Sequence, residues 1–191
     1  MIRTAIFGGT FNPLHNGHMS IARFVISNGL ADELWLMVTP QNPWKRNQAL
    51  MDDEVRLEMA RRAVADEDRI TVSDYEFSLP RPSYTADTLR SLKEHYPGRC
   101  FSLVIGADNW AKFDNWYDSG YILEHHQIIV YPRSGYPMPA GGNNVLRLNC
   151  GTIDVSSTEI RERIAAGLDV KGLVPDAVSD FLRLYKTDSI S

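Results

Sequence analysis

The chain reads as an α/β domain built on a parallel sheet, and three observations predict it. Short apolar runs rich in β-formers alternate with stretches of helical periodicity, which is the order of βαβ units. A glycine-rich stretch, "FGGTFNPLHNGH", lies between the first apolar run and the first helix, where folds of this class bind ligands. The length of 191 residues, 43% of them hydrophobic, suits one compact core and is short for two. A single domain over residues 1–191 is therefore expected.

The elements follow in order. "TAIFG" (4–8) is the first strand and 17–28 the first helix; "ELWLMV" (33–38) is followed by a helix over 52–65. "RITVSDYEF" (69–77) precedes a helix over 85–95, and "CFSLVIG" (100–106) leads into a short helix or turn. "HQIIVY" (126–131) is followed by a Pro/Gly/Asn-rich connection over 132–144 and by "VLRLN" (145–149). Two helices close the chain. One spans 157–166 and ends at Gly167; the other spans 175–185 and opens with Pro175, a natural first-turn residue.

Composition excludes several classes of function. The formal charge of -4 argues against the broad basic face that nucleic-acid binders use, although a small anion held by local donors fits. No apolar segment approaches the roughly 18 residues of a membrane span, and the first residues lack the pattern of a signal peptide. A soluble, cytoplasmic protein is expected. Cys100 and Cys150 form no CxxC pair and no metal-ligand spacing, so two buried thiols in a reducing compartment are expected.

The glycine-rich stretch carries chemistry. Gly8 and Gly9 allow backbone N–H groups to approach a ligand without a Cβ in the way. The helix that follows presents free N–H groups and a positive dipole end, which favour an anion and phosphate above all. No GKS or GKT follows, and the GxGxxG spacing is absent, so neither a Walker loop nor an oxidoreductase fingerprint is present. His15 and His18, three apart on the first turn, project to one side and supply donors to a phosphate whose charge changes as a bond breaks. Taken singly, one histidine reads as a helix cap and the other as a filler, while a zinc pair needs a third ligand.

"GGTFNPLHNGH" resembles the first motif of the HxGH nucleotidyltransferase superfamily, and "VSSTEIR" (155–161) resembles its second. The two lie more than a hundred residues apart, so their joint occurrence is far more specific than either alone. Between them, "PSYTADTL", "VIGADNW", "NWYD" and "PRSGYP" resemble bacterial nicotinate-mononucleotide adenylyltransferases in the same order. The resemblance implies a Rossmann-like domain, with helices on both faces of the sheet, that joins ATP to nicotinate mononucleotide. The products are nicotinic acid adenine dinucleotide and pyrophosphate, in NAD biosynthesis, with Mg²⁺ accompanying ATP. The implied partners are thus ATP and the mononucleotide, with no nucleic acid and no membrane; a homo-oligomer is compatible with the sequence.

Residue by residue, the resemblance puts Gly8, Gly9, Thr10 and Phe11 of the first motif, Gly106 and Asp108 of "GAD", and Ser157 and Thr158 of the second motif at ATP. His15, His18 and Arg161 are the expected catalytic residues. Local chemistry agrees in part. Ser156 with Glu159 forms a capping box, and Ser157 and Arg161 share one helix face while Ile160 and Ile164 turn toward the core. Asp108 reads equally well as a helix cap.

On the mononucleotide side, Trp116 matches the tryptophan that stacks on the pyridine ring, and Thr85 and Tyr117 match positions whose backbone amides hold the carboxylate. Thr85 is expected to cap its helix, with Tyr84 beside it in "PSYT". By itself Trp116 reads as a core residue. Lys45, with Arg46 beside it, is the expected contact to the 5′-phosphate in "PQNPWKR", where Trp44 stands in place of the family's usual histidine. Arg133 is a further phosphate candidate. No acidic residue stands out as a partner for an amide, which suits an acid substrate.

The mononucleotide's phosphate oxygen is already an anionic nucleophile, so no general base is needed and direct in-line displacement is expected. Two rivals stand. One is another enzyme of the superfamily, such as the pantetheine-phosphate adenylyltransferase, and the other is a nucleotide-binding regulator without turnover.

Overall fold

Strand β1 (Ile2–Gly9) is the axis of the molecule, paired in parallel with β2 (Glu33–Val38) on one side and β4 (Arg99–Gly106) on the other. With β3 (Ile70–Ser73), β5 (Gln127–Tyr131) and β6 (Val145–Arg147) the sheet is six-stranded in the order β3-β2-β1-β4-β5-β6, every pair parallel. The computed structural model describes residues 1–40, 50–152 and 155–188, and seven α-helices lie among them. The chain winds outward from β1 in one direction and then, from β4, in the other. The carboxyl ends of β1 and β4 therefore flank the point where strand order reverses, and ligands of doubly wound sheets bind there.

Both faces of the sheet are covered, which is why its strands are nearly continuously apolar. Successive residues of β1 alternate between two cores. Ala5 and Phe7 join Leu34, Leu36, Val104 and Ile129 beneath α1 (Asn16–Ser27) and α2 (Asp53–Ala63), and all are buried. Ile6 joins Met37, Leu103, Ile105 and Val130 on the opposite face, beneath α3 (Thr85–His95) and α5 (Ser119–His125). Helix α1 shows the spacing that this requires: Met19, Ile21, Ala22, Val25 and Ile26 are buried, while Ser20, Arg23 and Ser27 face water. A third cluster, made of Met59, Ile160, Val170, Val174, Val178 and Leu182, ties α6 (Ser157–Ala165) and α7 (Asp176–Asp188) to α2.

The sequence reading needs three corrections here. Strand β3 stops at Ser73, because the Phe77 N–H bonds back to the Asp74 carbonyl at 2.8 Å and Tyr75–Ser78 forms a 3₁₀ turn. Helix α5 was not expected; seven residues are too few for a periodic signal. The two thiols are not buried together. Cys100, at the amino end of β4 before its covered stretch, is exposed, and Cys150, in the connection after β6, is half-buried.

Candidate active site

The loop that leaves β1 is shaped by its own residues. Phe11 adopts a left-handed backbone conformation (φ 44°) and tucks its ring into the core at 2% exposure. A Cβ on Gly9 would lie 3.1 Å from that ring, so the second glycine makes room for Phe11 as well as for a ligand. The Phe11 ring then meets Phe7 and His18 edge to face, with centroids 5.9 and 5.0 Å away.

The loop ends on His15, which occupies the N-cap of α1. Nδ1 of His15 accepts the backbone N–H of His18, and Nδ1 of His18 accepts the backbone N–H of His15, both at 3.3 Å. The two side chains thus form a reciprocal capping box at the start of α1. With Nδ1 accepting, the neutral ring carries its proton on Nε2, which leaves one N–H donor per ring for a ligand. Burial, followed by the positive charge of Arg133, lowers His15 to about 4. Burial also carries His18 well below the usual imidazole range, with His15 and Arg133 adding to the effect. Both rings are therefore neutral donors at neutral pH.

The second motif docks directly on this loop. Ser157 Oγ donates to the Pro13 carbonyl at 3.1 Å, and Arg161 Nη1 donates to the Asn12 carbonyl at 2.9 Å while its Nη2 reaches Thr158 Oγ1 at 3.2 Å. From the other direction, Asn16 Nδ2 donates to the carbonyls of Gly172 and Val174. Ser156 caps α6 by accepting the Glu159 N–H at 3.1 Å, one half of the expected box. Ile160 is buried and Ile164 half-buried against the same cluster, the core-facing side of α6 that was expected.

Across the reversal point, Gly106 allows a close approach. A Cβ there would sit 2.3 Å from Asp108 Oδ1 and 3.1 Å from both Arg133 and Tyr131. Asp108 is no helix cap, since Gly106 occupies that position in α4 (Ala107–Trp110). Its carboxylate faces Arg133 at 3.6 Å instead, and Oδ1 is buried without a hydrogen-bond partner.

A cavity of about 380 Å³ at the ends of β1 and β4 is lined by Gly8, Gly9, Thr10 and Gly106 together with Thr85 and Trp116. Trp116 is half-buried and packs on Phe113 at 5.5 Å. Thr85 is the first residue of α3 and makes no cap; Tyr84 holds the cap position without a side-chain bond, so the start of α3 keeps free N–H groups. The rings of Tyr84 and Tyr117, both exposed, meet at 4.8 Å. The predicted residues thus fall into two groups, the polar cluster of His15, His18, Asp108, Arg133 and Arg161 and the cavity of Thr85 and Trp116, joined through Gly9 and Gly106. Lys45, with Trp44 and Arg46, lies outside the described residues.

Two residues escaped sequence reasoning. Arg56 is fully buried, and its guanidinium donates to the carbonyls of Thr10, Thr39 and Met51 and to Asp53. It thereby holds the phosphate loop, the exit of β2 and the start of α2 together. Glu76 lines the cavity, accepts from Thr88 Oγ1 at 2.9 Å, and is pushed by burial toward its neutral form. An acidic residue therefore does stand in the pocket, against the expectation from sequence. Both act through partners remote in sequence, backbone carbonyls in one case and a helix hydroxyl in the other.

The cytidylyltransferase-like family model matches residues 6–163, a span that holds both motifs and both groups of residues. The chain belongs to that family. Within it, the chain is 41% identical over 192 residues to a protein of Bacteroides thetaiotaomicron named "Probable nicotinate-nucleotide adenylyltransferase", covering 100% of this chain and 95% of that one. A Bacteroides fragilis protein of the same name is 43% identical over 190 residues, covering 98% and 94%. In fold, the Plasmodium falciparum nicotinic acid mononucleotide adenylyltransferase complexed with NaAD superposes with a TM-score of 0.82 over 100% of this chain and 99% of that one, at 16% identity. The parallel sheet with both faces covered is thus the family's Rossmann-like fold, as expected.

Proposed function

We propose that this protein transfers the adenylyl group of ATP to nicotinate mononucleotide, releasing pyrophosphate and forming nicotinic acid adenine dinucleotide. The observation that carries the reading is the joining of two unlike compartments across the ends of β1 and β4. One is a cluster of neutral imidazole donors and guanidinium groups, and the other is a cavity walled by an indole and a free helix start. The names and full-length similarity of the relatives support the same reaction.

The chemistry follows from what each group offers. The attacking atom is an oxygen of the mononucleotide phosphate, already anionic, so positioning and charge stabilisation carry the catalysis. Nε2–H of His15 and of His18 donate to the α-phosphate oxygens as their charge grows, in a direct in-line displacement without a covalent enzyme intermediate. Arg161 and Ser157, seated on the loop, hold the departing pyrophosphate, and the N–H groups of Gly8 to Phe11 receive ATP. Trp116 stacks on the pyridine ring, and the backbone N–H groups of Thr85 and Tyr117 take its carboxylate. Lys45 receives the 5′-phosphate.

Among the described residues no group of three or more His, Cys, Asp or Glu could hold a metal ion. Mg²⁺ suits the site in another way, because it binds through one or two carboxylates together with substrate phosphates, and the orphaned Oδ1 of Asp108 is such a carboxylate. Bound there with ATP, it would offset phosphate charge. No described helix is long and apolar enough to cross a membrane.

Pyrophosphate release with ATP and Mg²⁺ tests the reading, with nicotinate mononucleotide, nicotinamide mononucleotide and phosphopantetheine offered separately. Preference for the first is expected. Preference for another keeps the phosphate chemistry and discards the pocket assignment, and silence with all three favours a regulator.

A further inference from the structure

The carboxylate clamp of the proposed reaction takes one amide from Thr85, at the start of α3, and one from Tyr117, 32 positions later, on a segment whose backbone-to-backbone hydrogen bonds stay among its own neighbours. Something must hold the two segments at a fixed separation, because a binding constellation loses its function when it is loose by about half an ångström. The residue that follows Tyr117 shows what does so. Asp118 adopts a left-handed backbone conformation (φ 49°, ψ 44°), which costs a side-chain-bearing residue free energy and persists only when its surroundings impose it.

Arg90, five residues into α3 from Thr85, imposes it. Its Nη2 donates to the Asp118 carboxylate in an ion pair, its Nη1 donates to Asp87 at 3.1 Å, and its guanidinium lies 4.0 Å over the ring of Tyr121 in α5. A planar fork with three partners on two elements defines direction as well as distance, which a lysine ammonium cannot do. The contact of Tyr84 with Tyr117 at 4.8 Å crosses the same gap, between the residue before Thr85 and the residue that carries the second amide.

We propose that Arg90 and Asp118 are positioning residues that lock the Trp116–Tyr117 turn to the start of α3 and thereby set affinity for the carboxylate of the mononucleotide. The proposal rests on the substrate reading above. The side chains of Arg90 and Asp118 are 36% and 40% exposed, so the pair adds little to global stability and its variants fold.

The test is steady-state pyrophosphate release by the full chain with Arg90→Ala, Asp118→Gly, the double variant and Asp118→Asn. Glycine accepts the left-handed turn but is not held in it, so Arg90→Ala and Asp118→Gly should each raise KM for nicotinate mononucleotide about tenfold. KM for ATP should stay within about twofold, which a general structural defect would not allow. The double variant should be no worse than either single one. Asn, which tolerates the left-handed region and still accepts from Arg90, should recover most of the affinity. The preference for the nicotinate over the nicotinamide mononucleotide should fall in the impaired variants. An unmoved KM for nicotinate mononucleotide in both single variants, or a parallel rise in KM for ATP, overturns the proposal while leaving the reaction in place. Absence of turnover of nicotinate mononucleotide by the unsubstituted protein overturns the substrate reading and this proposal with it.

Discussion

The rings of His15 and His18 stack 3.6 Å apart with 22° between their planes, each Nδ1 accepting the other residue's backbone N–H. One arrangement does three things: it caps α1, it fixes the tautomer, and it aims two Nε2–H donors out of the loop. Each ring's Nδ1 is taken by that backbone bond, which leaves its Nε2–H as the donor a ligand can meet.

Replacing His18 with Ala should therefore lower kcat by roughly 100-fold or more, the loss expected when one preorganised donor to a developing charge is removed. KM for ATP should change little, because the donor matters most where bonds change. Some stability, about 1 kcal/mol, goes with the lost cap, and urea unfolding separates that effect from catalysis. Unchanged kcat would remove His18 from the chemistry.

The burial of the same two rings sets the response to acid. His15 titrates at about 4 in the folded protein and near 6.5 when unfolded, and His18 is shifted in the same direction. Between those values the unfolded chain binds more protons, so stability rises with pH across the window from about 4 to 6.5 and is lost as pH falls through it. The contribution of His15 is on the order of 3 kcal/mol. His126, also lowered by burial, adds to the slope, and Glu76, raised by burial, opposes it. Thermal melts from pH 4.5 to 7.5 should show a steep acid limb that flattens in His15→Asn. Equal slopes in the two proteins would contradict the tautomer-locked pair.

Gly106→Ala isolates the close approach at the reversal point. The new Cβ would meet Asp108 Oδ1 at 2.3 Å, closer than real carbon atoms come, with Arg133 and Tyr131 blocking other movement. Asp108 must swing away from Arg133, at a cost of about 1–3 kcal/mol in stability. If Asp108 is the carboxylate that accompanies the metal, the variant should also need more Mg²⁺ for half-maximal rate. A Mg²⁺ titration of pyrophosphate release checks this, and an unchanged requirement would take Asp108 out of that role.

What was legible in the sequence was whatever depends on neighbours in the chain. Glycines beside histidines between a strand and a helix mark the loop on which the second motif docks, and the alternation of apolar runs announces the parallel sheet. What was not legible depends on partners without a side-chain signature. The acceptors of Arg56 are the carbonyls of Thr10, Thr39 and Met51, groups that every residue possesses. Glu76 accepts from Thr88 on α3, and the Asp118 carboxylate pairs with Arg90, both across the fold. Helix α5 and the 3₁₀ turn at Tyr75–Ser78 are shorter than the window in which periodicity can be read.

Arg56 makes the strongest prediction for stability. Its side chain is 0% exposed, and its donors satisfy three main-chain carbonyls as well as Asp53, which pairs on its other oxygen with Arg81. Arg56→Leu removes the charge but strands those carbonyls, Asp53 included in the loss, so the cost should be about 3–5 kcal/mol. Arg56→Lys keeps the charge, yet a single ammonium cannot reach acceptors on the phosphate loop, β2 and α2 together, so most of the loss should remain. Because Thr10 and Thr39 flank the cavity, the lysine variant should also raise KM for both substrates while it is still folded. Urea unfolding followed by steady-state kinetics at a denaturant-free temperature well below the midpoint checks both statements. A lysine variant with native stability and native KM values would show that the guanidinium fork is dispensable and that the loop is held by Asn12, whose Oδ1 accepts the Met51 N–H, and by the contacts of Ser157 and Arg161.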